Sequence, residues 1–124
     1  MSNLLDEIKN YIVAQGLEIT TNCYKGSMPA TPDNLTCLYE TTGFQPGMTF
    51  DNNNVEYPGL QIMCRGTDYA TTRNKINAIY KKLHGNTSVS GLMNFVAQQS
   101  PVGLGQDDLK RWEFSVNFKV IKMM

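Results

Sequence analysis

RWEFSVNFKVI, running from Arg111 to Ile121, alternates large apolar and polar side chains without a break. Trp112, Phe114, Val116, Phe118 and Val120 share one side, and Glu113, Ser115, Asn117 and Lys119 share the other. Successive side chains of a strand point to opposite faces, so this period of two predicts a strand with one buried and one polar face. That is the pattern of an antiparallel sheet covered by helices on one side.

Working outward, the covering helices can be found. Leu4, Leu5, Ile8, Tyr11 and Ile12 recur at three- and four-residue spacing, which predicts a helix over residues 3–15. Ser2 or Asn3 caps its start, Asp6 and Glu7 suit the positive end of the helix dipole, and Gly16 stops it. A second helix starts at a Thr67 or Asp68 cap and runs to about Leu83, with Thr72, Ile76, Ile79, Tyr80 and Leu83 as its buried stripe. Lys81, Lys82 and His84 fall in its last turn, where the dipole favours positive charge, and Gly85 follows as the stop.

Further strands are expected at Leu35–Thr41, Leu60–Arg65 and Ser90–Gln99, with a short one possible within Leu17–Tyr24. In the first of these, Leu35, Cys37 and Tyr39 face one way and Thr36, Leu38 and Glu40 the other. Thr42–Gly59 reads as a long loop, because it holds two Pro-Gly pairs and a polar run at Asp51–Asn54. A connection of that length without structure of its own is uncommon and is usually functional or disordered. Ser100–Asp108 reads as a second loop. The fold class is therefore α+β: a two-layer sandwich with a mainly antiparallel four- to five-stranded sheet and two helices on one face. The 124 residues form a single domain.

Composition narrows the function. Formal net charge is zero and only 18 % of residues are charged, which speaks against a general nucleic-acid binder. The surface left to Asn, Thr, Gln and Ser suits polar contacts with protein. Cys23, Cys37 and Cys64 are odd in number and form no CxxC pair, so free buried thiols in a reducing cytoplasm are expected rather than a disulfide framework or a zinc site. The acidic start, MSNLLDEIKNYIV, is unlike a signal peptide, and no apolar run is long enough to span a membrane.

No catalytic, cofactor or metal site is expected. His84 is the only histidine and is explained by the helix end. Phosphate-cradling GxxxxGKS/T and GxGxxG motifs are absent. The turn Arg65-Gly66-Thr67-Asp68 resembles an anion-binding helix start, but Asp68 puts a negative charge at its mouth, so a cap with an Arg65–Asp68 contact is expected. Charge is uneven: Asp33, Glu40, Asp51 and Glu56 occur without a base between them, while Arg65, Arg73, Lys75, Lys81 and Lys82 stand against Asp68 alone. These are either two solvated faces or the halves of a head-to-tail contact, in which the acidic loop of one subunit meets the basic helix of the next. Phe44, Met48, Phe50 and Tyr57, apolar residues of the first loop, need burial in their own domain or between subunits.

Taken in order, MPATPDNLTCLYETTGFQP and YPGLQIMCRGTDYATTRNKINAIYKKLHG, together spanning most of residues 28–85, resemble small bacteriophage minor capsid proteins of the tail terminator, or tail-completion, type. The resemblance rests on Pro29, Pro32-Asp33, Thr36–Glu40 with Gly43 behind it, Tyr57, Gly59–Ile62, Arg65-Gly66, Asp68-Tyr69 and Ile79-Tyr80 with Leu83. It implies a structural protein without catalytic residues or cofactor. Such a protein forms a ring, usually of six subunits, on the head-proximal end of the tail tube, stops tube growth and joins the head connector. Implied partners are further copies of itself, the tail tube protein, the head–tail connector or stopper protein, and DNA passing through the lumen without specific binding. No membrane is implied; the place is the virion tail or neck, assembled in the host cytoplasm. Interface candidates are Phe44, Met48, Phe50, Asp51, Glu56, Tyr57, Arg65, Arg73, Lys75, Asp107 and Asp108. A head-completion or other neck component is the nearest alternative. A small-molecule enzyme using the Arg65–Tyr69 turn is the alternative of a different class.

Overall fold

The computed structural model describes residues 4–47, 55–86, 89 and 94–123, with backbone alone at 44–47 and 123. Its elements follow as α1 (Leu4–Ala14), a 3-10 turn (Thr20–Asn22), β1 (Cys23–Lys25), β2 (Leu35–Gly47), β3 (Val55–Gly66), α2 (Tyr69–Leu83), β4 (Asn94–Ala97), β5 (Val102–Gln106) and β6 (Trp112–Met123). The strand that opened the sequence reading, β6, is the organiser. It pairs antiparallel with β3 along one side, and with β4 and β5 in turn along the other. The sheet order is β1-β2-β3-β6-β4, with β5 beside β4 on the same flank of β6.

Both helices cover one face, as their stripes require. α1 buries Leu4, Leu5, Ile8 and Ile12, and α2 buries Thr72, Ile76, Ile79 and Leu83. These side chains meet Leu38, Leu60, Ile62, Cys64, Phe114, Val116, Phe118 and Val120 in one core. Each fully buried Leu, Ile, Val or Phe there contributes about 1.5–3 kcal/mol. The helix ends are set by their caps. Gly16, at φ 73, lets Leu17 N donate back to Ile12 O at 3.1 Å. Asp68 accepts from Thr71 N at 2.8 Å and from Thr71 Oγ1 at 2.6 Å. Tyr80 is only half-buried, stacked on the His84 ring at the core's margin.

The sheet has six strands and is mixed, where four or five were expected. The additions are short: β1 is three residues long and parallel to β2, and β5 is five residues rich in glycine. The supposed loop at Thr42–Gly59 is largely strand, since β2 continues to Gly47 and β3 begins at Val55. Two register shifts, between Thr41 and Phe44 and between Phe44 and Gly47, break the alternation that a period-two reading needs. Gly43 and Gly59 serve close strand contact there rather than a turn. A Cβ on Gly43 would fall 2.6 Å from Tyr57 O, and one on Gly59 would fall 2.7 Å from Thr42 O. The second supposed loop, Ser100–Asp108, is mostly β5.

Candidate assembly surface

Arg65 ends β3 beside Gly66. Its expected contact with Asp68 is not made. The guanidinium is 4 % exposed and turns to the segment before β2, donating to Pro29 O at 2.9 Å, Pro32 O at 2.7 Å, Ala30 O at 3.3 Å and Asp33 O at 3.4 Å. Arg111 grips the same segment through Ala30 O at 2.5 Å and Asp33 Oδ1 at 3.3 Å. Asp107 holds Arg111 in turn, accepting from its Nε at 2.8 Å and its backbone N at 2.9 Å. Burial and the neighbouring Arg111 both push the Arg65 pKa down. A planar fork with five donors suits several carbonyls at once, so the two arginines clamp residues 29–33 onto the sheet. Gly66 is needed beside them, because a Cβ there would press into the Thr72 side chain and lie 2.8 Å from Asn34 Oδ1.

The other candidates on α2 are likewise engaged within the chain. Lys75 Nζ lies 2.9 Å from Glu18 Oε2, which also accepts from Thr36 Oγ1 at 2.8 Å. Arg73 donates to Pro101 O at 3.0 Å and lies over the Phe114 ring at 5.6 Å. The basic side chains α2 exposes are Lys81 and Lys82. Glu56 pairs with Lys122 at 3.3 Å, and Tyr57 lies under Lys119 Nζ at 4.6 Å. Asp108 is exposed in the β5–β6 turn. Phe44 is described by backbone only, opposite Tyr57. Met48, Phe50 and Asp51 lie outside the described residues.

The three thiols are free and buried. Burial pushes Cys64 up to about 12 and Cys23 up to about 11, and raises Cys37 as well. They are packing residues, not nucleophiles. Among the described residues, no cluster of His, Cys, Asp and Glu is placed to hold a metal, and no helix is long and apolar enough to cross a membrane.

The sheet flanks differ in how far their backbones are satisfied. On the β4 flank, Phe95 N donates to Asn94 Oδ1 at 2.8 Å, Phe95 O accepts from Gly85 N at 2.7 Å, and Ala97 N donates to His84 Nδ1 at 3.0 Å. His84, which the sequence explained by the helix dipole, therefore also closes a strand edge. On the β5 flank, beyond the ladder with β6, no backbone group of Val102–Gln106 finds a partner among the described residues. All five β5 residues are exposed. Val102, Leu104 and Leu109 are 45 %, 52 % and 66 % exposed, and Tyr69 stands nearby on Trp112 and Phe114. Across the sheet, β1 covers β2 only from Thr36 to Leu38, so that among the described residues Thr41–Gly47 has no strand beside it on that side and forms a second open edge. Sequence reasoning missed both edges, because their glycines and prolines read as loop.

Residues 5–123 match a family model described as bacteriophage tail terminator protein. A chain from the virion of a native gene transfer agent particle has the same fold, with a TM-score of 0.70 at 13 % identity over 98 % of this chain and 95 % of that one. No curated protein matches the chain in sequence.

Proposed function

The chain belongs to the bacteriophage tail terminator family, a structural family of the virion, and from that premise we propose that it caps the head-proximal end of a tail tube as a ring of six subunits. The carrying observation is the family match across nearly the whole chain, supported by a fold shared over its full length with a virion protein. The growing end of a tube exposes an interface that fits the next ring of tube protein. A terminator occupies that interface with one face and offers a different face to the head connector. The strands and helices serve as the rigid scaffold that positions such contact surfaces. Zero net charge suits a ring through which DNA must pass without being held. At the Arg65–Tyr69 turn, the two ionisable groups best placed for substrate chemistry, Arg65 and Asp68, are both engaged within the chain.

Tube polymerisation tests this reading. Adding the protein to tube protein growing from preformed tubes is expected to halt elongation and leave a density cap at one end by negative stain. Tubes that lengthen at an unchanged rate with no cap overturn it.

A further inference from the structure

We propose that the open edge of β5, Val102–Gln106, receives the open edge of β2, Thr41–Gly47, from a second copy of the chain, so that the sheet continues from subunit to subunit. The inference rests on the ring reading above and specifies its subunit contact.

An unpaired strand edge is a template for another strand, and proteins usually protect it with charge, a bulge or a covering element. The flanks here are treated unequally. β4 is closed by His84, Gly85 and Asn94, and β1 carries Lys25 in an ion pair with Asp6. Neither β5 nor the stretch Thr41–Gly47 contains a charged residue. Of those protections each has only a bulge, joined on β2 by Pro46, which has no N–H to donate, so pairing is confined to a few residues. On β5, the exposed Val102 and Leu104 add apolar surface that such a contact would cover.

Strand direction selects the partner. β2 is antiparallel to β3, β3 to β6 and β6 to β5, so β2 and β5 run in opposite directions. A neighbour carried round a ring axis in the same orientation brings its β2 antiparallel to β5, the stronger pairing mode. The contact joins two different edges, so it is heterologous and closes only as a ring. The edges are also staggered. Thr41 sits level with Gly59 and hence Lys119 on β6, whereas Gly103 sits level with Phe114, a difference of 119 − 114 = 5 residues. That is roughly 17 Å along the strands, which implies strands tilted to the ring axis as in a closed barrel.

The test compares wild-type protein with the Val102→Lys/Leu104→Lys double variant and with Val96→Lys on the closed β4 edge, by sedimentation velocity and negative stain, alone and on tail tubes. Wild type and Val96→Lys are expected to form rings, and the β5 variant to remain monomeric with an unchanged melting curve. Mixing Leu104→Cys with Thr42→Cys protein under copper–phenanthroline is expected to give a crosslinked dimer that neither variant gives alone. If the β5 variant forms normal rings, the inference fails while the ring reading stands. If its rings form but no longer bind tubes, β5 meets the tube protein instead and the inference again fails. If wild type forms no ring, alone or on tubes, both fail together.

Discussion

Two regions at the same end of the sheet behave in opposite ways. Around Arg65 and Arg111, charge is concentrated, buried and matched almost wholly within the chain: two guanidinium groups are shared among four main-chain carbonyls and two carboxylates. A short distance away, β5 carries no charge, is exposed along its length, and has a backbone edge unmatched among the described residues. The conspicuous residues serve the fold, and the plain ones remain available for contact. The charge around Arg65 and Arg111 therefore serves the clamp that holds residues 29–33 to the sheet.

The largest expected effect comes from the clamp. Arg65→Ala takes the Arg65 donor from the carbonyls of Pro29, Pro32 and Asp33, while Ala30 O keeps Arg111, and is expected to lower stability by about 2–4 kcal/mol in a urea titration. Arg65→Lys should recover only part of that, since an ammonium lacks the planar fork. An Arg65→Ala protein of normal stability that no longer assembles would break the comparison, because Arg65 would then be an interface residue.

Next is Gly59→Ala, where a new Cβ meets Thr42 O at 2.7 Å in the paired backbone of β2. A loss of about 1–3 kcal/mol is expected. An unchanged urea midpoint would mean that distal β2 is loosely held and poorly suited to receive a neighbour.

Smaller still is the effect of acid. The Thr71 side-chain and backbone hydrogen bonds hold the Asp68 pKa below the usual carboxylate value, and the Arg111 backbone amide does the same for Asp107. A carboxylate depressed on folding stabilises the protein fully above its unfolded pKa, near 4, and loses that contribution as pH falls through the folded value. Thermal melts should therefore fall on acidification below about pH 4, and Asp68→Asn should flatten that fall. Equal slopes for the variant and wild type would remove Asp68 from the account. The buried thiols sharpen the same contrast. With pKa values raised to about 11 for Cys23 and about 12 for Cys64, a thiol reagent at neutral pH should label them only after unfolding. Rapid labelling of native protein would show that the core is open.

The smallest effect belongs to the edge. Val102→Lys/Leu104→Lys should change monomer stability by no more than about 0.5 kcal/mol, as surface substitutions do. A larger loss would show that β5 is part of the domain's own structure.

How legible these features are in the sequence depends on the interaction that creates them. β6 and α2 were readable because their apolar periods, two and 3.6, run unbroken through the sequence from Trp112 to Val120 and from Thr72 to Leu83, although in the structure Trp112 is only partly buried and Ser115, on the polar side, is buried. Distal β2, the start of β3, and β5 were not, because bulges, Pro46, Pro58 and the glycines interrupt the period while the ladder continues. The alternate faces of β2 were assigned correctly, but both are buried as far as Leu38, so polarity could not show which one the helices cover. Arg65 was conspicuous beside Gly66, yet its partners are backbone carbonyls some thirty residues upstream, and a carbonyl leaves no mark in a sequence. The residues proposed for assembly are the least distinctive of all.

The most direct test is sedimentation velocity of the wild-type protein over a wide concentration range, with the heaviest fraction imaged by negative stain and then mixed with purified tail tubes. The account predicts closed rings with a central hole, in solution or on one end of the tubes. A monomer at every concentration that leaves tube ends bare would contradict it.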